Sequence, residues 1–166
     1  MADIKDSDSR SRNMSAIRSK DTKPELFIRK SLFADGYRYR IAPSNIVGHP
    51  DIYLPKYKLA IFIHGCFWHR HAGCRYAYTP KSHMEFWQKK FSDNLKRDAE
   101  VRALLNEKKI RIIIVWECAI KVANKKHGDP QGLIRYIEER IHSDFSECEV
   151  EADESFKTWR DRYNCL

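Results

Sequence analysis

The stretch H-P-D-I-Y-L-P-K-Y-K-L-A-I-F-I-H-G-C-F-W-H-R-H-A-G-C, residues 49–74, decides how this chain is read. Asp51 stands at the head of a short run, 51–54. Pro55-Lys56-Tyr57-Lys58 is turn-like, because Pro fixes φ and the lysines favour water. Residues 59–64 are almost continuously apolar, as expected of a strand covered on both faces. A hairpin of this length brings Asp51 close to Ile63 and His64. A hard carboxylate beside a second polar group suits Mg²⁺, which takes one or two protein oxygens and keeps several waters. Such an ion polarises a phosphoryl oxygen and acidifies a bound water. A capping or turn-forming Asp is the plainer alternative.

The second half of the stretch carries a softer donor set. Cys66, His69, His71 and Cys74 fall within nine residues, and Cys118 follows a later strand. Zinc takes four thiolate or imidazole ligands, often a close cluster plus a distant one. Cys66, His71, Cys74 and Cys118 make a Cys₃His set and leave His64 and His69 free. Separate buried thiols and a His-rich loop are the alternative. Phe67 and Trp68 stand between the ligands. A loop pinned by a metal cannot bury two adjacent large rings on one side, so one or both face outward as wedges for stacked bases, or both cap the core beside the metal.

These residues resemble a known family. Pro50-Asp51, F-x-H-G-C-F-W-H-x-H at 62–71 and W-E-C at 116–118 are similar to the very-short-patch repair (Vsr) mismatch endonucleases, and the resemblance runs from about residue 10 to about residue 141. It implies a restriction-endonuclease-like fold, catalytic Mg²⁺, a structural Zn²⁺, and nicking of one DNA strand 5′ to the T of a T:G mismatch. The duplex with that mismatch is the implied substrate. The implied setting is a monomer in the bacterial cytoplasm, at the nucleoid while working, with the mismatch-repair matchmaker MutL as a candidate partner. By the same resemblance Mg²⁺ binds Asp51 and the Ile63 carbonyl, and His64 replaces the usual nuclease lysine of the fold. His69 is the general base, Asp98 orients it, and Glu25 belongs to the active site. Met14, Phe67, Trp68 and Trp87 match intercalating residues. One departure is visible. Ala72 and Gly73 separate His71 from Cys74, where the shortest family spacing has one residue, and Gly73 can absorb the change in backbone path.

Outside the central stretch, composition agrees with a polyanion partner. The chain has 166 residues and a formal net charge of +8. Residues 1–140 hold 28 basic and 16 acidic groups, whereas 141–166 hold three basic and seven acidic. A basic body of this kind suits nucleic acid, though many basic proteins bind nothing specific. No apolar run is long enough to span a membrane, and Met1-Ala2-Asp3-Ile4 does not open a signal peptide. Five cysteines, an odd number, read as a reducing compartment with metal, and Cys148 and Cys165 as idle thiols.

Residues 1–20 read as a basic DNA-binding arm, with Met14 and Ile17 on one thin stripe. Thr22-Lys23-Pro24-Glu25 is a capping box that opens a helix ending at Gly36. Residues 37–41 alternate as a half-exposed strand. Residues 81–106 form a long helix, capped by Ser82, with a stripe of Met84, Trp87, Phe91, Leu95 and Leu105. Asp98 lies on that stripe and needs a partner, either His69 or Arg102. Residues 110–116 are the central strand, and 133–141 form a helix. Residues 21–142 thus make the endonuclease core. Residues 143–166 read as an acidic linker and a C-terminal helix on which Phe156, Trp159 and Tyr163 dock. The fold class is α/β (α+β), a mixed sheet flanked by helices. A nuclease of the same fold cutting matched DNA, and a zinc-stabilised DNA-binding module without catalysis, are the competing functions.

Overall fold

A computed structural model describes residues 20–153 and 157–161. Helix α1 is Lys23–Ala34, α2 is Met84–Glu107, α3 is Glu117–Ala123 and α4 is Pro130–His142. The strands are β1 (Ile52–Leu54), β2 (Leu59–His64), β3 (Arg111–Trp116), β4 (Glu147–Ala152) and β5 (Trp159–Asp161). They form one sheet in the order β1-β2-β3-β4-β5. The central pairings β2–β3 and β3–β4 are parallel, and the outer pairings are antiparallel. The architecture is the mixed α/β sheet flanked by helices that the pattern predicts. Residues 1–19 of the basic arm, Met14 among them, lie outside the described residues.

Helix α1 begins and ends on local chemistry. The Thr22 side chain accepts from the Glu25 N–H, and Pro24 sits in the first turn. Glu25 reaches back past the cap to the Asp21 N–H at 2.9 Å. At the other end Gly36 adopts φ +92°, a left-handed position that glycine takes without strain. The Gly36 N–H then bonds Phe33 O at 3.1 Å and the Tyr37 N–H bonds Leu32 O at 2.9 Å, which satisfies two terminal carbonyls.

The sheet is buried on both faces by residues that alternate along each strand. Leu59 and Ile61 of β2, Ile113 and Val115 of β3, and Val150 of β4 pack with Ile28 and Leu32 of α1 and with Leu133, Ile134, Ile137 and Ile141 of α4. Ala60, Ile112, Ile114 and Trp116 face the other way, towards Leu105 of α2, Cys66 and Cys118. Gly48 seals this second side. Its φ is +80°, and a Cβ there would stand 2.4 Å from Val101 Cγ1 on α2, so only glycine lets the loop approach the helix.

Several expectations need correction. Residues 37–41 make only one β-bridge, Arg40 with Tyr53, because β1 is three residues long and offers no further partner. The inward stripe of α2 holds Phe91, Asn94 and Leu105, while Met84 and Leu95 are about half exposed. His83, not Ser82, precedes the helix, in a left-handed conformation and without a side-chain cap. Residues 117–118 do not simply end the strand but start α3. The largest departure is at the C-terminal side. Residues 147–152 are not an acidic linker but strand β4, with Glu149 and Glu151 almost fully buried. Trp159 lies on β5 rather than on a docking helix, and Phe156 and Tyr163 fall outside the described residues. Cys148 is disulfide-bonded rather than idle, and Cys165 lies outside the described residues. Among the described residues no helix is long and apolar enough to cross a membrane.

Candidate active site and metal centre

Asp51 sits just before β1, where the antiparallel register carries it towards the end of β2. The Ile63 N–H donates to its Oδ2 at 2.7 Å. From the α1 side Arg29, 5% exposed, reaches into the same place. Its Nε donates to the Asp51 carbonyl at 3.1 Å, Nη1 to Asp21 Oδ1 at 2.6 Å and Nη2 to Glu25 Oε2 at 3.1 Å. Glu25 is also buried, and its other oxygen accepts from the Thr22 hydroxyl at 2.8 Å. Burial pushes the Asp51 carboxyl up to about 6. Glu25 adds to that rise, while the Ile63 hydrogen bond, Arg29 and His69 oppose it. A carboxylate so short of solvation gains more than a surface one from a nearby cation.

His64 ends β2 on the face opposite Ile63, because successive side chains alternate. Its ring stacks on that of His69, centroids 3.7 Å apart and planes 9° apart. His69 Nδ1 meets Asp98 Oδ2 of α2 at 2.5 Å. Arg102, the other partner considered for Asp98, instead engages Glu147 at 2.6 Å and Glu149 at 2.9 Å on β4. Burial, then the charges of His69, Arg102 and Arg97, hold the His64 imidazole well below its ordinary range, so it stays neutral. His64 Nδ1 is buried without a hydrogen-bond partner among the described residues.

His64, His69 and Asp98 also have the composition of a metal site, with donor atoms within 4.8 Å of one another. The stacking argues against that use. Ring lone pairs lie in the ring plane, so two nearly parallel stacked imidazoles aim theirs side by side rather than at one point. The His69 nitrogen already held by Asp98 is a second argument against it.

A second donor set converges on the α2 side of the sheet, where the loop after β2 meets the start of α3. One atom each from Cys66, His71, Cys74 and Cys118 lies within 4.8 Å of the others. His71 Nδ1 is 3.5 Å from both Cys66 Sγ and Cys118 Sγ. Gly73, at φ +72° and with open space where a Cβ would stand, lets the loop turn back to Cys74. The Cys118 thiol is drawn down to about 5 by its hydrogen bond with Cys66 and by His71, while the same bond and burial push Cys66 up. Three sulfurs and one imidazole nitrogen this close together, in a buried pocket, fit a tetrahedral soft-donor ion.

Trp116, the last residue of β3, stands between the two centres. It stacks on His71 at 4.0 Å with planes 6° apart, and makes a T-shaped contact with His64 at 5.4 Å. Phe67 is the hub of an aromatic group, 5.0–5.3 Å from Trp68, Tyr78, Trp87 and Phe91. Phe67, Trp68 and Trp87 are each part buried and part open to solvent. Asn94 of α2 ties this loop down by donating to the Trp68 carbonyl at 3.0 Å.

The sequence profile of the DNA mismatch endonuclease Vsr family matches residues 2–75. The DNA mismatch endonuclease Vsr of Escherichia coli (strain K12) is 34% identical over 151 residues, 91% of this chain and 95% of that protein. The chain belongs to the Vsr family. Other relatives are nicking enzymes. The type II nicking enzyme V.NmeAIP of Neisseria meningitidis is 46% identical over 73% of this chain and 86% of its own length. V.XorIIP of Xanthomonas oryzae is 41% identical over 64% of this chain and 78% of its own.

In this Vsr-family chain several supporting residues were not visible in the sequence. Arg29 plays no part in the sequence reading, although its i,i+4 spacing from Glu25 on α1 is a usable signal. In the sequence Arg102 stands out only as a partner for Asp98. Glu149 and Glu151 looked like solvated charge. The one hint was their strict alternation with Cys148, Val150 and Ala152.

Proposed function

We propose that this DNA endonuclease nicks one strand of a duplex 5′ to the T of a T:G mismatch, with Mg²⁺ at Asp51 and Zn²⁺ at the Cys₃His cluster. The observation that carries the reading is the hydrogen-bonded His69–Asp98 pair with His64 stacked on His69, and His69 near enough for its charge to act on the buried Asp51. The donor chemistry fits both ions. Asp51 and the Ile63 carbonyl are hard oxygen donors suited to Mg²⁺, and the sulfur-rich cluster suits Zn²⁺. Bound at Asp51, Mg²⁺ would supply charge to the phosphoryl oxygens and acidify a water.

The chain's own residues supply the rest. Asp98 accepts the His69 Nδ1–H, which fixes the tautomer and leaves Nε2 to take the proton of the attacking water. The Asp98 charge stabilises the imidazolium that results. Neutral His64 offers a ring N–H to the scissile phosphate without adding charge. Glu25 and Arg29 hold the backbone and carboxyl of Asp51 in position. Phe67, Trp68 and Trp87 form one aromatic wedge whose open faces unstack the bases, aided by the weaker pairing at a mismatch. The restriction-endonuclease-like core, monomeric action, Met14 as a further intercalating side chain and the matchmaker MutL as partner belong to the same reading.

The test is a nicking assay on a T:G duplex with Mg²⁺. Wild type should nick the T strand, and Asp51→Ala and His69→Ala should each lose at least about 10²-fold in rate. Undiminished cutting by either variant removes that residue from the mechanism.

A further inference from the structure

We propose that the C-terminal strand pair is part of the metal centre: Glu151 of β4 fixes His71 in the tautomer that ligates, and so sets the metal affinity of the Cys₃His cluster. The inference rests on the zinc reading above and adds a positioning residue from a strand that the spacing of the four ligands does not reach. His71 uses its two nitrogens differently. Nδ1 faces Cys66 and Cys118, each sulfur at 3.5 Å. Nε2 lies 2.6 Å from Glu151 Oε2, and both side chains are nearly inaccessible, at 3% and 2% exposure. An ionised carboxylate can only accept, so Nε2 must carry the hydrogen. In the neutral ring that leaves the lone pair on Nδ1, aimed at the sulfurs. A ligating imidazole held by a carboxylate is a more basic and better oriented donor.

The surroundings support this assignment. Trp116 lies flat against His71 and stops the ring from turning. Trp116 is itself held, its Nε1–H donating to Glu149 Oε2 at 2.7 Å. Glu149 and Glu151 are two residues apart on one strand, so they project from the same face and hold two stacked rings in the same way. Each carboxylate has a counter-cation on its other oxygen, Arg102 at 2.9 Å for Glu149 and Arg160 of β5 at 3.3 Å for Glu151. Next to Glu151, the Ala152 N–H points at Cys118 Sγ at 3.3 Å, which favours the thiolate form that a metal needs. Thus β4 supports two of the four donors, and β5 neutralises the carboxylate that supports one of them.

The experiment uses the full chain loaded with Zn²⁺. Long-range ¹H–¹⁵N correlation spectra of the wild type should show the His71 proton on Nε2, shifted downfield by a strong hydrogen bond, with Nδ1 metal-bound. Competition against a chromophoric zinc chelator should then give about a 10- to 100-fold weaker affinity for Glu151→Gln, with circular dichroism unchanged. A His71 proton on Nδ1, or equal affinity for wild type and Glu151→Gln, overturns the inference while leaving the zinc reading intact. Wild type that takes up no zinc overturns both. The spectroscopic arm needs no variant, so a poorly folding Glu151→Gln does not remove the test.

Discussion

His69 Nδ1 and Asp98 Oδ2 meet at 2.5 Å across 29 positions of sequence, joining the loop after β2 to the middle of α2. The contact gives His69 one available nitrogen and a fixed ring direction. Asp98→Asn keeps the shape but can donate to His69 instead of accepting, which selects the wrong tautomer. The nicking rate at saturating Mg²⁺ should fall by about 10²–10⁴-fold, the range of a general base's contribution. Single-turnover rates on a T:G duplex measure it, with DNA affinity expected to change little.

The burial of Asp51 should show in stability. Its carboxyl is pushed up to about 6 by burial, against about 3.9 in an unfolded chain. The folded state therefore holds that proton more tightly, and stability falls as pH rises from about 4 through about 6. Without Mg²⁺, Asp51→Asn should be more stable than wild type at pH 8 by on the order of 1–2 kcal/mol. The advantage should vanish near pH 4. Urea unfolding of the zinc-loaded proteins at the two pH values tests both statements.

Arg29 should matter as much to the fold as to the site. Its guanidinium is buried among Asp21, Glu25 and the Asp51 carbonyl. Arg29→Met leaves Glu25 buried without its cation, and breaking one side of a buried ion pair costs about 3–5 kcal/mol. The midpoint of urea unfolding should drop accordingly. Asp21→Asn, removing the partner that is 64% exposed, should change stability far less.

Metal removal should act first on structure. The cluster joins the loop after β2 to the start of α3, and structural zinc contributes its binding energy to folding. Cys118→Ser should abolish stoichiometric zinc and lower the melting temperature by about 10 °C or more, since each kcal/mol is worth about 2–4 °C in a chain of this size. Added Mg²⁺ should not restore it. Scanning calorimetry with metal analysis measures this directly.

The legible parts of the chain were those with a local signature. The Thr22 cap and Gly36 stop bracket α1, the unbroken apolar run gives β2, and Leu133, Ile134, Ile137 and Ile141 all turn inward on α4. The tight cysteine and histidine spacing announces a donor cluster on its own. Strand β4 was misread because its charges were counted as solvated. Glu149 and Glu151 become compatible with a buried strand only through Arg102, Trp116, His71 and Arg160, which come from elsewhere in the chain. Residues 37–41 failed in the opposite sense. Their alternation was real, with Tyr37 and Tyr39 packed on the core, but a strand also needs a neighbour long enough to pair with.

The central claim is that Asp51, His64, His69 and Asp98 form one hydrolytic centre selective for a mismatch. The most direct measurement compares end-labelled T:G and T:A duplexes of otherwise identical sequence, each with Mg²⁺ and with excess chelator, and maps the product on a sequencing gel. The account predicts a single nick 5′ to the mismatched T, present only with Mg²⁺ and at least about 10²-fold slower on the T:A duplex, a preference of roughly 2.7 kcal/mol. Equal cutting of both duplexes, scission of both strands, or full activity in the chelator would contradict it.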